Sequence, residues 1–400
     1  MSIINQTTKI RWCSHCTCPS SSAIPLTFDE QGVCSACLVQ ERFKSFDWSS
    51  GKNKLAELVE PYRSSSNYDI LIPVSAGKDS YFQTHIAVNV LGLKPLLVTY
   101  QGNNFLPEGE YNLKKIREDF DCDHIVVRPS VDVLVRMNRI GFKLHGDMNW
   151  HNHAGIETVP CQIAVKYKVP LVMWGEHGGL DLSGMFQLQD QVEFTKKFRL
   201  EHALHGFDWS DFTDEGLEKL GRTDLKEGLT AKDLLCYQYP SDDEVIDVGL
   251  RGIYLGNFYP WDANEHAQLM IDLYQWKAAE TPFERTYRTI SNLDDMHENG
   301  IHDYMKFVKF GYGRGTDHSS KDIRSGIMSR EEGIRMVQKY DHVKPRRDLE
   351  RWLQYVGMEE EEFDRIADTF RDPRVWRQEG SKWVKDDIGG GEKTFGSIKA

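Results

Sequence analysis

The sequence has no run of about 18 apolar residues in its 400, so no membrane-spanning helix is expected. Its opening, MSIINQTTKIRWC, lacks the apolar core of a secretory signal, and a cytoplasmic protein is expected. Eight cysteines are too few for a disulfide scaffold of this length. Cations are outnumbered: the net charge is −12, and nucleic acid as the main partner is not expected, because phosphate backbones reward Lys/Arg stripes. There is no Walker A loop, since Ile72 and Asp79 stand where that pattern needs Gly and Ser or Thr. No cysteine sits in a G-x-C-x-G elbow, and the chain opens Met1-Ser2 rather than on a cysteine, so no glutaminase is legible. What remains is an ordinary globular composition, 40% apolar, 11% aromatic and 28% charged, long enough for two or three domains.

The stretch Tyr68–Ser80, YDILIPVSAGKDS, carries the strongest local pattern. Asp69–Val74 reads as a short buried strand and Tyr81–Leu91 as a helix with apolar residues at helical spacing. Between them lie Ser75, Ala76, Gly77, Lys78, Asp79 and Ser80. A strand, a turn of small residues and a helix N-terminus form an anion site, where backbone N–H groups and the helix dipole face a phosphate. Lys78 adds a full charge and Ser75 and Ser80 add hydroxyls. The bland alternative is a chance glycine turn, which the preceding apolar strand disfavours.

Cys13-x2-Cys16 and Cys34-x2-Cys37, separated by 17 residues, fit a four-thiolate zinc site. Each C-x-x-C turns two sulfurs to one side, and two such knuckles complete a tetrahedron. With four ligands and no open position the site reads as structural. Cys18 and His15 are alternates of poorer spacing, and Ile24–Asp29 with Gly32 suit a small ribbon hairpin.

Further on, Pro95–Tyr100 and His124–Arg128 read as strands, with a turn at Gln101–Asn104 and a helix over Glu108–Asp119. Such alternation predicts a parallel sheet with ligands beyond the carboxyl ends of its strands. The stretch 145–153, HGDMNWHNH, could hold a second metal but lacks fixed helical spacing, and an ordinary substrate or surface loop is the favoured reading. A helix over Glu157–Lys168 and a strand over Val169–Trp174 lead to Gly175-Glu176-His177. Glu176, an acid flanked by glycine at a strand end, is suited to Mg²⁺ or a substrate hydroxyl, the alternative being a solvated turn. Residues 181–240 read as acidic and helical. Leu250–Phe258 reads as another strand and Trp261–Glu280 as an amphipathic helix.

A second dense stretch, residues 306–326, sets Gly311, Gly313 and Gly315 among Lys309, Arg314, Lys321 and Arg324, which points to anion recognition. Ser329–Glu332 has capping-box form. The expected organisation is a zinc-ribbon module at 1–45, a core at 46–200, a mostly helical region at 201–385 and a flexible tail at 386–400.

The loop S-A-G-K-D-S resembles the S-G-G-K-D-S pyrophosphate loop of the PP-loop ATP pyrophosphatases, with Ala76 where that class usually has Gly. This replacement predicts a tighter backbone approach or the loss of a φ > 0 position. Together with the cysteine knuckles and GYGRGTDHSSKDIRSGIMSREEG, it makes roughly residues 11–345 similar to the N-acetyl sugar amidotransferases of bacterial surface-polysaccharide and nonulosonic-acid biosynthesis. The resemblance implies an α/β PP-loop core of the adenine nucleotide α-hydrolase kind, with an N-terminal zinc ribbon and a helical C-terminal region. It implies ATP, Mg²⁺ and structural zinc, an acetamido nucleotide-sugar substrate, and ammonia from a separate glutaminase. By that resemblance Ser75–Ser80 hold the pyrophosphate, and Thr99 and Tyr100 are candidates for adenine. Asp79 is a candidate Mg²⁺ ligand, and Lys309 or Arg314 is expected to neutralise the leaving group or to bind a nucleotide-sugar diphosphate. Two alternatives stay open: a tRNA thiolase using Cys122 and Cys161, and a non-catalytic nucleotide-binding subunit with a decayed loop.

Overall fold

The computed structural model describes residues 9–102, 105–181, 183–186, 190–295 and 297–396. Asn103 and Asn104 of the expected turn, and residues 397–400 of the expected tail, lie outside that set. Five strands, β1 (Ile70–Pro73), β2 (Pro95–Tyr100), β3 (His124–Val127), β4 (Leu171–Trp174) and β5 (Arg251–Tyr254), form one sheet in the order β3-β2-β1-β4-β5, every pairing parallel. β1 alternates between two cores: Ile70 and Ile72 join Leu55, Met173 and Ile253 on one face, whereas Leu71 joins Leu96, Val98 and Val172 on the other. A sheet buried on both faces explains why its strands read as continuous apolar runs rather than as alternating ones.

Strand order decides where the site lies. The chain winds from β1 outward through β2 to β3, then crosses to β1's other side for β4 and β5. The reversal falls between β1 and β4, and it leaves a crevice beyond their carboxyl ends. The segments that emerge there are Ser75–Ser80 and Gly175-Glu176.

Several expected boundaries shift. The helix after the loop begins at Lys78, three residues earlier than read, and runs to His85 before a wider turn over Ile86–Val90. Trp150–Tyr167 is one helix, so the second half of the histidine-rich stretch is helical, not loop. The described residues of 181–240, expected to be helical, form only short turns of helix, and Leu204, Phe212, Leu217 and Leu225 from this region cover one face of the sheet. β5 and the helix Ala263–Tyr274 pack onto the core well beyond residue 200. Within the stretch expected to be a flexible tail, Glu392–Phe395 is a strand paired with Lys382–Asp386. The expected ribbon hairpin reduces to two isolated bridges, Trp12 with Pro19 and Phe28 with Cys34, after which Cys37 already lies in the helix Ser35–Phe43.

Candidate active site

The backbone of the small-residue turn is held by its own side chains. The Ser75 N–H donates to Ser80 Oγ at 2.9 Å, and the Gly77 N–H donates to Ser75 Oγ at 3.4 Å. Trp276 Nε1–H donates to the Ala76 carbonyl at 3.0 Å. Ala76 has φ +59°, so the left-handed position expected to be lost is kept, and an alanine occupies it. Gly77, with φ −64°, has ordinary extended backbone. A side chain in the left-handed region costs about 1–2 kcal/mol, part of which glycine gives back through its freer unfolded chain. Ala76→Gly is therefore expected to stabilise the protein by about 0.5–1 kcal/mol. Denaturant melts check this, and a measured loss would mean that packing of the buried Ala76 methyl outweighs the strain.

Because the helix begins at Lys78, the N–H groups of its first turn have no helical partners and face the crevice. Lys78 Nζ contacts Asp79 Oδ2 at 2.6 Å, and His266 Nδ1 lies 3.2 Å from Asp79 Oδ1. His266 is fixed by stacking on Phe82, ring centroids 3.8 Å apart, and by the edge of Trp261. Burial alone pushes the Asp79 carboxyl up, but the Lys78 ammonium and His266 hold it below the usual carboxylate range. Asp79 is thus an anion fixed at the mouth of the loop.

Two adjoining cavities open here. The smaller, about 270 Å³, is lined by Gly77, Lys78, Arg288, Arg314, His318 and Lys321. The larger, about 890 Å³, extends past Tyr100, Asn152, His153, Glu157 and Trp174. Ser75, Asp79, Glu176, Asn292 and Asp294 line both, so the loop stands at the opening between them. Gly175 lets the chain pass close beneath this opening: a Cβ there would lie 2.8 Å from Gln83 Nε2 and 2.9 Å from the Trp261 ring.

Each cation of the smaller cavity is set by a carboxylate. Arg314 contacts Asp303 at 2.8 Å and Asp317 at 3.7 Å, Lys321 contacts Glu176 at 3.2 Å, and Arg288 pairs with Asp322. The helix Arg314–Arg324 delivers Arg314 and Lys321 one helical repeat of seven apart, on one face. Thus Ser75, Gly77, Lys78, Asp79, Glu176, Arg314 and Lys321 converge on this space, whereas Lys309, Thr99 and Tyr100 do not. Lys309 turns away, its Nζ donating to the His145 carbonyl at 2.9 Å, and it lines neither cavity. Thr99 is spent on structure: its hydroxyl donates to the Val74 carbonyl at 2.5 Å and meets His124 at 2.8 Å. Tyr100 does line the larger cavity, but its hydroxyl is tied to His151 and Tyr237 at 2.9 and 2.8 Å. Neither Cys122 nor Cys161 reaches either cavity wall, and burial pushes both thiols up, to about 11 and about 12.

Sequence reasoning missed three wall residues, Arg288, Asp294 and Glu157, and also His266, which contacts Asp79 without lining either cavity. Arg288, Asp294 and His266 come from segments without a motif, although the Asp294-Asp295 pair was a visible acidic signal. Glu157, read only as the start of a helix, has a buried Oε2 with no hydrogen-bond partner, and burial pushes its carboxyl up to about 7 against the charge of Arg199.

Cys13, Cys16, Cys34 and Cys37 are all buried, with Sγ atoms within 4.8 Å of one another. The Cys13–Cys37 and Cys16–Cys34 sulfurs lie 3.9 and 3.7 Å apart. A tetrahedron with Zn–S of about 2.3 Å has edges of about 3.8 Å, so the four thiols fit zinc. The N–H groups of His15, Cys16 and Cys34 point at Cys13 Sγ at 3.2–3.4 Å. The cysteine module is not isolated from the site. Arg324 reaches Cys18 Sγ at 3.2 Å and Cys16 and Cys34 Sγ at 3.8 and 3.9 Å, so this cation of the second dense stretch serves the thiols and not the cavity. Thr17 Oγ1 bonds Ser319 and Ser320 at 2.8 Å each, and Arg330 donates to the Cys13 and Cys16 carbonyls. Ala23, Ile24 and Pro25, between the knuckles, form part of the larger cavity's wall.

Residues 281–386 match the family model described as LPS biosynthesis protein WbpG-like, C-terminal domain. No curated protein matches the chain. Among solved structures, an NH3-dependent NAD synthetase from Campylobacter jejuni, crystallised with nitrate, is 13% identical at a TM-score of 0.28, covering 51% of this chain and 92% of that one. An NMN synthetase from Francisella tularensis is 14% identical at a TM-score of 0.25, covering 59% and 99%. Among the described residues no helix is long and apolar enough to cross a membrane.

Proposed function

With a WbpG-like C-terminal domain of lipopolysaccharide biosynthesis over residues 281–386 as premise, we propose that this protein is an ATP-dependent amidotransferase acting on an N-acetylated sugar, in nucleotide-linked form. The observation that carries the reading is the pair of joined cavities with the S-A-G-K-D-S loop at their opening. The smaller chamber suits a pyrophosphate, and the larger has room for a nucleoside and a sugar.

The acetamido carbonyl oxygen attacks the α-phosphorus of ATP, forming a C–O–P bond as the bond to pyrophosphate breaks. Ammonia then adds to the imidate carbon and AMP departs with the former carbonyl oxygen, leaving the acetamidino group. Lys78, the N–H groups of the first helical turn, Arg288, Arg314 and Lys321 hold the departing pyrophosphate. Ion pairs fix these cations before substrate arrives, so little reorganisation is needed as charge develops. The same carboxylates leave the chamber near electrical balance, and a triphosphate there needs further positive charge. Asp79, Glu176 and Asp294 offer oxygen donors that suit Mg²⁺, which would supply that charge. Zinc in the four-thiolate site would be structural, holding the cysteine module against the helix Arg314–Arg324.

Glu157 is the base that takes a proton from the ammonia nitrogen as it adds to the imidate carbon. A carboxylate acts as a base only when ionised, so turnover at constant free ammonia is expected to rise with pH through about 7. Glu157→Gln is expected to remove that limb and lower turnover about 10²-fold or more. Ammonia comes from a separate glutaminase, since no glutaminase motif is present in this sequence. A tRNA thiolase is disfavoured because no cysteine of the described residues faces either cavity. The kept φ > 0 geometry at Ala76 and the retained Lys78 speak against a decayed loop.

The test is product analysis. Protein, Mg-ATP and ammonium are incubated with a panel of acetamido nucleotide sugars, and in parallel with unmodified tRNA. The expected result is AMP and pyrophosphate only with a sugar and ammonium, together with a sugar whose carbonyl O has become NH. AMP formation that depends on tRNA would overturn the proposal.

A further inference from the structure

The histidine-rich stretch acquires a partner that its sequence does not contain. Asp147 is buried just after the helix Val131–His145, and its Oδ1 accepts the Asn149 N–H at 2.9 Å, which fixes the rotamer. The same Oδ1 lies 3.0 Å from His302 Nδ1, on the first turn of the helix Asn299–Phe310. Its Oδ2 faces His153 Nε2 at 4.0 Å, on the first turn of the helix Trp150–Tyr167. The two imidazole centroids are 5.5 Å apart, and one donor atom from each of the three residues lies within 4.8 Å of the others. His153 Nε2 is buried and has no hydrogen-bond partner.

From this geometry we infer a second metal centre, in which Asp147, His153 and His302 hold a divalent transition ion of the zinc class. The ligand set is chemically unlike the four thiols. Two imidazoles and one carboxylate suit zinc, manganese or iron, and three protein ligands leave coordination positions open. Tetrahedral ligands about 2.0–2.1 Å from zinc lie about 3.3 Å apart, and the observed 3.0 and 4.0 Å contacts bracket that edge. The ion would replace the proton now shared by His302 and Asp147 and would give His153 Nε2 its missing partner. Lys309, the nearby cation, is held by the His145 carbonyl and need not move.

The open positions matter because of where they point. His153 lines the larger cavity, as do Asn149, Asn152 and His205. An ion held by His153 at this wall can bind an oxygen or nitrogen of whatever occupies the cavity. The inference does not depend on the sugar amidotransferase reading, since the ligand set exists whatever the substrate.

Cobalt(II) titration of the full-length, metal-stripped protein tests it, because cobalt bound by thiolates has a strong near-ultraviolet charge-transfer band and cobalt bound by imidazole and carboxylate has none. The expected result is two equivalents bound per chain, with the thiolate band reaching its plateau after one of them. His153→Ala and His302→Gln, each checked for an unchanged melting profile, are expected to bind one equivalent with the thiolate band intact. If the wild-type protein binds no cobalt beyond the thiolate equivalent, or if a folded variant still binds two, the second centre is refuted. The wild-type titration decides even if a variant does not fold.

Discussion

Lys78→Ala is expected to lower pyrophosphate release about 10²–10³-fold, the loss seen when one preorganised electrostatic group is removed from a developing anion. Lys78 is the cation closest to the loop backbone, and its side chain is only 8% exposed, so water replaces it poorly. Stability should change little, by about 1 kcal/mol or less, because Asp79 keeps His266 as a partner and 38% of its side chain in solvent. The two readouts together separate a site defect from a folding defect. Steady-state kinetics with Mg-ATP and a melting curve are sufficient. A variant with unimpaired turnover would mean that the loop does not hold the reacting phosphates.

The second large effect concerns a residue far along the chain from any phosphate group. Cys34→Ala is expected to abolish zinc binding at the thiolate site and to reduce ATP turnover to background. Structural zinc binding is coupled to local folding and is of order 10 kcal/mol in small modules, far more than the hydrogen bonds of this module could replace. The consequence for turnover follows from contacts. The module grips the helix Arg314–Arg324 through Arg324 and Thr17, and the next helix through Arg330, and the first of these carries Arg314 and Lys321 into the smaller cavity. Its residues Ala23–Pro25 also wall the larger one. Cys18→Ala is the control: Cys18 lies outside the tetrad and donates to Ser320 Oγ at 3.2 Å, so zinc should stay bound. Zinc analysis and AMP formation check both variants. Retention of thiolate-bound zinc and full turnover by Cys34→Ala would refute the structural role.

Both effects act through groups that the sequence displayed openly, and the site's legibility divides along physical lines. Signals carried by adjacent residues were readable. The loop, the two C-x-x-C pairs, strand β2 over Pro95–Tyr100 and the capping box at Ser329 are each written in the pattern of a few neighbouring residues, so spacing suffices. The left-handed backbone at Ala76 shows where that logic stops. A residue type states a preference, and the surrounding fold, here the Trp276 bond to its carbonyl, overrode it.

The cation-rich stretch was recognised as a unit but not resolved into roles. Helical phase sends Arg314 and Lys321 to the cavity, Arg324 to the thiols and Lys309 to the His145 carbonyl. Phase is set by where the helices Asn299–Phe310 and Arg314–Arg324 begin and how each packs, and composition does not contain it. Thr99 was misread for a similar reason: the end of a strand can face a ligand or its neighbouring strand, and register turned its hydroxyl to Val74.

By itself, then, the sequence determined a parallel α/β core with a small-residue loop at a strand end and a four-cysteine module before it. Each rests on local spacing, on apolar runs and on the geometry of short turns. Tertiary structure alone decided what those parts are joined to. Strand order put Glu176 beside the loop; packing brought Arg288, Asp294 and His266 to it; and the docking of two distant helices set His302 against Asp147 and His153. Such meetings join residues about a hundred positions apart or more, and their proximity depends on how whole elements pack, a property no local pattern encodes.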